Sequence, residues 1–95
     1  MAKLSGGEVH ERLSGSPSWR LGEDGDSIVR DLELADFAAA IELVGRVAER
    51  AEAANHHPDI LIHGWNKVRL TLSTHSEGGL TDADFQLANR IEELT

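Results

Sequence analysis

The longest regular pattern of apolar residues in the chain lies between positions 36 and 55. Apolar side chains recur there at steps of three and four, which is the spacing of one face of an α-helix. The members of this stripe are Phe37, Ile41, Val44, Val47 or Ala48, Ala51 and Ala54. Pro58 disfavours helical backbone at the residue before it, so the helix should end near residues 55–56. The pattern therefore predicts a helix over 36–55 whose apolar stripe faces the core.

Alternating apolar and polar positions predict four short strands, arranged as two hairpins. Residues 19–21 and 28–34 flank the segment Glu23-Asp24-Gly25-Asp26, where the Asp-Gly pair tolerates the positive φ that a tight turn needs. Residues 60–62 and 68–72 flank a second turn at 64–67. In the strand over 28–34, one face should carry Ile28, Arg30, Leu32 and Leu34. Each hairpin should contribute two antiparallel strands to a sheet.

Shorter helices are predicted near both ends of the chain. A weak pattern covers Gly7–Leu13. Near the C-terminus, Thr81 as N-cap and Asp84 three residues later form a capping box, and Leu80 and Phe85 form a hydrophobic staple. The stripe that this last helix should bury is Phe85, Ala88, Ile91 and Leu94. The element order α-β-β-α-β-β-α predicts an α+β fold, with an antiparallel sheet covered on one face by helices.

The length of 95 residues fits a single domain over positions 1–95. A domain of this size buries only about 60–65% of its unfolded surface, so we expect oligomerisation to add buried area. A net charge of −8, with nine scattered Lys and Arg residues, argues against binding to nucleic acid. No apolar run approaches the ~20 residues of a membrane span, and the N-terminus has no apolar signal core. We therefore expect a cytoplasmic protein without membrane contact.

The chemistry available to the chain centres on histidine. The absence of cysteine excludes disulfides, thiolate nucleophiles and cysteine-based zinc sites. Histidines stand at positions 10, 56, 57, 63 and 75. His56 and His57 fall at a predicted helix C-terminus, whose partial negative charge favours imidazolium and so a proton donor near neutral pH. A third, neutral histidine nearby would supply the matching base without any metal.

Ordinary structural roles and a metal site are the competing interpretations. A histidine on its own, as at positions 10 and 63, is more often a surface or hydrogen-bonded core residue than a catalytic one. Asp84 is fully explained as a helix cap. Three histidines and an aspartate could in principle bind zinc. However, His56 and His57 are adjacent at a helix end and point in different directions, which places them poorly for sharing one ion.

The spacing of several residues in the second half of the chain resembles the signature of the pterin-4a-carbinolamine dehydratases. The residues that carry the resemblance are Glu52, His56-His57-Pro58, Trp65, His75 and Asp84. The surrounding segments Trp65-Asn66-Lys67-Val68 and Leu70-Thr71-Leu72-Ser73-Thr74-His75 match as well. Together they cover about a third of the chain.

The resemblance implies a four-stranded antiparallel sheet with helices on one face, assembled into homodimers or homotetramers. It implies dehydration of 4a-hydroxytetrahydropterin to quinonoid dihydropterin, in tetrahydrobiopterin recycling, with no metal or organic cofactor. By motif position, His56, His57 and His75 would be the active-site histidines. The same positions, with Asn55, Ser73, Thr74 and Ser76, would line the pterin pocket.

Three departures from the family pattern accompany the match. Asn55 stands where Asp is common, and Ser76 stands where Glu is common in the animal enzymes. The segment between Pro58 and Trp65 is one residue longer than in those members. These changes can alter hydrogen bonds to the pterin edge or the register of the hairpin, but they leave the three histidines in place.

The sequence leaves two uses of this fold open. The first is catalysis, with His56 and His75 handling the protons and His57 binding and orienting the substrate. The second is a non-catalytic interaction module. In animals the family also serves as a dimerisation cofactor of a homeodomain transcription factor, and some bacterial relatives look like assembly factors for a carbon-fixing enzyme and have lost the signature. The intact His56-His57-Pro58 and Ser73-Thr74-His75 motifs favour the enzyme.

Overall fold

A four-stranded antiparallel sheet forms one layer of the computed structural model, which describes residues 2–95. The strands are β1 (Arg20–Leu21), β2 (Ile28–Glu33), β3 (Asp59–His63) and β4 (Lys67–Leu72). Both predicted hairpins are present, and the order across the sheet is β1-β2-β4-β3. The pairing of β2 with β4 joins the two hairpins, so these two strands occupy the centre. The helices pack on one face of this sheet, as the sequence predicted.

The two faces of the sheet differ sharply in polarity. On the helix-covered face, the register pairs Ile28 with Leu72 and Leu32 with Val68, which confirms the face predicted for β2. On the open face, Asp31 of β2 accepts hydrogen bonds from Arg69 of β4, with Nε 2.7 Å from Oδ1. These hydrogen bonds hold the pKa of the Asp31 carboxyl below its usual value. A charged outer face and an apolar inner face are typical of an antiparallel sheet with one solvated side.

The helices begin and end close to the predicted residues. They are α1 (Gly6–Ser14), α2 (Phe37–Ala54) and α3 (Asp82–Glu92), with a 3₁₀ helix at His75–Glu77 that the sequence analysis did not predict. Among residues 2–95, no helix has the length and apolar character needed to cross a membrane.

Side-chain caps and a left-handed residue account for the ends of α2 and the start of α3. The Asp36 carboxylate caps α2 by accepting a hydrogen bond from the amide of Ala39. The chain leaves α2 at Asn55, which adopts the left-handed conformation. Thr81 and Asp84 form the predicted capping box of α3. The stripe predicted for α3 is buried at Phe85, Ala88 and Ile91, while Leu94 lies beyond the helix end and is partly buried.

The buried face of α2 agrees with the prediction at Val47 and Ala51, and in part at Val44, but differs at the other predicted positions. The residues that face the core are Ala40, Leu43, Val47 and Ala51. The predicted stripe members Phe37 and Ile41 are instead 54% and 49% exposed, and Ala48 and Ala54 are exposed as well. The helix carries two apolar stripes about a quarter turn apart, given 3.6 residues per turn. Periodicity alone does not decide which of the two faces the sheet.

Candidate active site

The fold brings the His56-His57 pair and the segment that contains His75 to the same end of the sheet. After α2, the segment His56–Pro58 leads directly into β3. Because β3 and β4 are antiparallel, the start of β3 lies beside the end of β4, with Asp59 paired to Thr71. The segment Ser73–Ser76 follows β4 at that same edge. Residues separated by about twenty positions in the sequence therefore become neighbours.

A buried carboxylate connects these two segments directly. His56 Nε2 lies 2.5 Å from Asp84 Oδ1, and the hydroxyl of Thr74 donates to Asp84 Oδ2 over 2.8 Å. The Asp84 side chain is completely buried, whereas that of His56 is 16% exposed. A carboxylate that accepts the Nε2 proton fixes the ring orientation and the tautomer, and leaves Nδ1 as the nitrogen for proton exchange.

The same carboxylate also caps α3, which the sequence analysis took as its whole role. Asp84 Oδ2 accepts the amide of Thr81 over 2.9 Å, and the hydroxyls of Thr74 and Thr81 lie 2.9 Å apart. The earlier interpretation of Asp84 as a cap alone was wrong, because the cap uses only one of its two oxygens. Its place in the histidine signature was the signal that could have revealed the second role.

His57 occupies a more exposed position than His56. Its Nε2 lies 2.5 Å from Glu52 Oε2, with side-chain exposures of 58% and 76%. An ion pair this exposed contributes only about 0–1 kcal/mol to stability, so its effect is to restrict the orientation of the ring. Asn55, between α2 and the histidine pair, has φ 50° and ψ 43°. This left-handed residue turns the chain out of the helix, and Asn tolerates that conformation better than most residues.

His75 lies in the 3₁₀ helix after β4, where it is exposed. It lines a cleft of about 260 Å³ together with Asp59, Ser73 and residues of the β1–β2 loop. The hydroxyl of Ser73 donates to the backbone carbonyl of Asp26 over 2.7 Å, which ties that loop to the end of β4. Ser76 is exposed on the same turn. The sequence offered no local signal that the β1–β2 loop would reach this place.

His56 opens into a second and larger cleft. This space of about 620 Å³ lies between α2 and α3, and its lining includes Arg50 and Arg90. His56 and His75 therefore face different clefts within one subunit, linked through Asp84 and Thr74. The convergence of all three imidazoles on one pterin pocket stays a prediction. Within residues 2–95, no three side chains of the metal-binding types form a group that could hold an ion.

The sequence is similar to known proteins over nearly its whole length. The sequence model for pterin 4 alpha carbinolamine dehydratase matches residues 2–94. A Chloroflexus aggregans protein with the provisional name pterin-4-alpha-carbinolamine dehydratase is 52% identical over 94 residues, which cover 99% of this chain and 98% of the relative. An Acidobacterium capsulatum protein with the same provisional name is 51% identical over 94 residues, which cover 99% of each chain.

Two solved structures share the fold. A structure described as a transcriptional coactivator/pterin dehydratase from Brucella melitensis superposes with a TM-score of 0.90 at 30% identity, covering 97% of each chain. A pterin dehydratase-like protein identified as a RuBisCO assembly factor in the alpha-carboxysome superposes with a TM-score of 0.68 at 23% identity, over 81% of this chain and 88% of the other. The second similarity concerns the fold alone. The sequence matches, which extend over nearly the whole chain, show that this protein belongs to the pterin-4-alpha-carbinolamine dehydratase family.

Proposed function

We propose that this protein dehydrates 4a-hydroxytetrahydropterin to quinonoid dihydropterin, as a step of tetrahydrobiopterin recycling. The observation that carries the proposal is the Asp84 carboxylate, which holds His56 on one oxygen and Thr74, the neighbour of His75, on the other. A purely structural cap would not require an imidazole on its second oxygen. Membership of the dehydratase family supports the same reaction.

The reaction requires two proton transfers and no redox change. The C4a–oxygen bond breaks with its electron pair, and the oxygen leaves as water after taking a proton from an acid. The N5 proton passes to a base, and the N5–H electrons form the new C4a–N5 double bond. Our hypothesis assigns these proton transfers to His56 and His75. His57, Asn55 and the segment Ser73–Ser76 would bind and orient the pterin ring.

Replacing the histidines one at a time tests the assignment. We expect His56→Ala and His75→Ala each to lower the dehydration rate by about 10²- to 10⁴-fold, which is the usual contribution of one acid–base group. His57→Ala should mainly raise KM, because its proposed role is binding. The rate is measured on 4a-hydroxytetrahydropterin after subtraction of the background without protein.

His63→Ala is the matched control, since His63 is an exposed histidine of β3 outside the proposed site. It should react at the parent rate. Parent-like rates in all three of the other variants would show that the assignment is wrong.

An interaction module of the same fold is the second candidate. It is supported by the structural neighbour described as a RuBisCO assembly factor, although that similarity concerns the fold alone. The two functions separate experimentally. A protein without dehydratase activity that binds one stable partner stoichiometrically would favour the module, and turnover that depends on His56 and His75 would favour the enzyme.

We also propose that the protein assembles with copies of itself through the exposed stripe of α2. The large side chains Phe37 and Ile41 occupy one half of this stripe, and the small residues Gly45 and Ala48 occupy the other. In an antiparallel two-fold pairing, each large half would meet the small half of the second copy. The surface is therefore self-complementary, as an isologous dimer contact must be.

Acidic substitutions on the stripe should separate the copies. We expect the double substitution Phe37→Asp and Ile41→Asp to convert an assembled parent into monomers, measured by sedimentation velocity at micromolar concentration. Both residues are about half exposed in one subunit, so circular dichroism should show a folded monomer. Glu49→Lys, at an exposed polar position of α2, should not change the assembly. A parent that is already monomeric, or a double variant that stays assembled, would contradict the proposal.

A further inference from the structure

The cleft that contains His75 is built from three separate elements. One wall is Asp59, the first residue of β3. The second wall is formed by Thr71, Ser73 and His75, from the end of β4 and the turn that follows it, and the third wall is the β1–β2 loop. The walls are held together, because Ser73 donates to the backbone of the loop at Asp26. This arrangement is a walled cleft beside a proposed catalytic histidine, and not an isolated group of acidic residues.

Three carboxylates line this cleft, but two of them have other partners. Asp24 Oδ1 accepts hydrogen bonds from the amide of Asp26 and the hydroxyl of Ser27, both over 2.9 Å. These bonds hold the pKa of the Asp24 carboxyl below its usual value. Asp26 lies 3.7 Å from the ammonium group of Lys3. Asp59, by contrast, is exposed and takes part in none of the ion pairs formed within residues 2–95. Its two oxygens are available to a ligand.

We propose that Asp59 is a specificity-determining residue that binds the 2-amino and N3–H edge of the pterin ring. The inference rests on the proposed function, since it takes the cleft beside His75 as the pterin site. It extends that function because Asp59 is not among the pocket residues predicted from the motif, which are residues 55–57 and 73–76.

The chemistry of the pterin edge matches a free carboxylate. The 2-amino group and N3–H are adjacent donors that point in nearly the same direction, as the two N–H groups of a guanidinium do. A carboxylate accepts such a pair with two parallel hydrogen bonds, the strongest and most selective arrangement available to it. The motif residues Asn55 and Ser76 are neutral, so neither can supply this charge.

The size and position of the cleft also suit this role. Its volume of about 260 Å³ lies near the lower end of ligand pockets, which begin at about 300 Å³. That volume is enough for one flat bicyclic ring. Asp59 begins β3 and His75 follows the end of β4, so both residues lie at the same end of the antiparallel β3–β4 pair. A ring anchored at its pyrimidine edge by Asp59 therefore extends toward His75.

Ligand selectivity provides the test. The probes are 7,8-dihydropterin and the corresponding lumazine, in which a 2-oxo group replaces the 2-amino group and reverses one donor. The parent should bind the dihydropterin at least about tenfold more tightly than the lumazine, measured by titration calorimetry. Asp59→Asn should weaken dihydropterin binding by roughly 10- to 100-fold, because it removes a charge-assisted acceptor. It should also abolish the preference between the two probes.

The matched control and the dehydration assay separate this inference from the proposed function. Glu11→Gln, at an exposed carboxylate of α1, should bind both probes as the parent does. An active parent whose Asp59→Asn variant keeps its dihydropterin affinity and preference would overturn the role of Asp59 alone. An inactive parent with an Asp59-dependent preference would overturn the enzyme and retain the site. A parent that binds neither probe would overturn the role of Asp59, and an inactive parent that binds neither would overturn both.

Discussion

Asp84→Asn is expected to lower the dehydration rate by about 10²- to 10⁴-fold while the protein stays folded. Asparagine has the same shape, and its one carbonyl oxygen can still accept the amide of Thr81 that Asp84 now binds. Its amide nitrogen then takes the place of Oδ1 and faces His56 Nε2, where the aspartate presents an acceptor. A donor in place of that acceptor favours the wrong tautomer of His56, so the ring is present but poorly prepared for proton transfer.

The measurement is the rate of dehydration against pH, together with circular dichroism. A change in the pH profile would distinguish an altered imidazole from a loss of folded protein. Asp82→Asn is the matched control, because Asp82 stands in the same first turn of α3 but forms its ion pair with Arg12 at the surface. The control should keep the parent rate. An Asp84→Asn variant within about threefold of the parent would contradict the positioning role.

Leu70→Ala is expected to cause the largest loss of stability, about 2–5 kcal/mol of the free energy of unfolding. Leu70 is completely buried and lies in the middle of the central strand β4, between Arg30 of β2 and Ile60 of β3. Its truncation leaves a cavity under the helices that the paired strands cannot close. Because a small domain has a total stability of only about 5–15 kcal/mol, the melting temperature should fall by roughly 10 °C or more.

Thermal and urea unfolding at one fixed protein concentration give the measurement, since assembly would make stability depend on concentration. Leu61→Ala is the matched control, because Leu61 has the same side chain on the neighbouring strand β3 but is 52% exposed on the other face. It should change the free energy of unfolding by no more than about 0.5 kcal/mol. Equal losses in the two variants would contradict the face assignment of the sheet.

Local signals predicted most of the fold. Pro58 predicted the end of α2 within one or two residues, the capping box marked the start of α3, and alternation predicted both hairpins. Each of these signals depends on residues within a few positions of one another. The face of α2 that is buried could not be predicted in the same way, because its two apolar stripes fit a helix equally well and only the placement of the sheet selects one.

The contacts of the candidate site are the part that local patterns do not encode. His56 and Asp84 are 28 positions apart, and Ser73 and Asp26 are 47 positions apart. Their proximity follows from the order of strands across the sheet. The motif resemblance indicated which histidines to examine, and it contained Asp84. It gave no indication that the β1–β2 loop and Asp59 would form walls of the cleft beside His75.

The position of the three motif histidines relative to the hydrophobic core has an evolutionary consequence. None of His56, His57 and His75 belongs to the buried cluster that holds the sheet and helices together. A lineage could therefore lose the exposed imidazoles of His57 and His75 by drift and still inherit an intact scaffold. Loss of His56 would leave one oxygen of the buried Asp84 carboxylate without its partner, so that change requires a second one at Asp84. Because the exposed motif histidines and the hydrophobic core are formed by different residues, this small domain is well suited to gaining a new function after gene duplication.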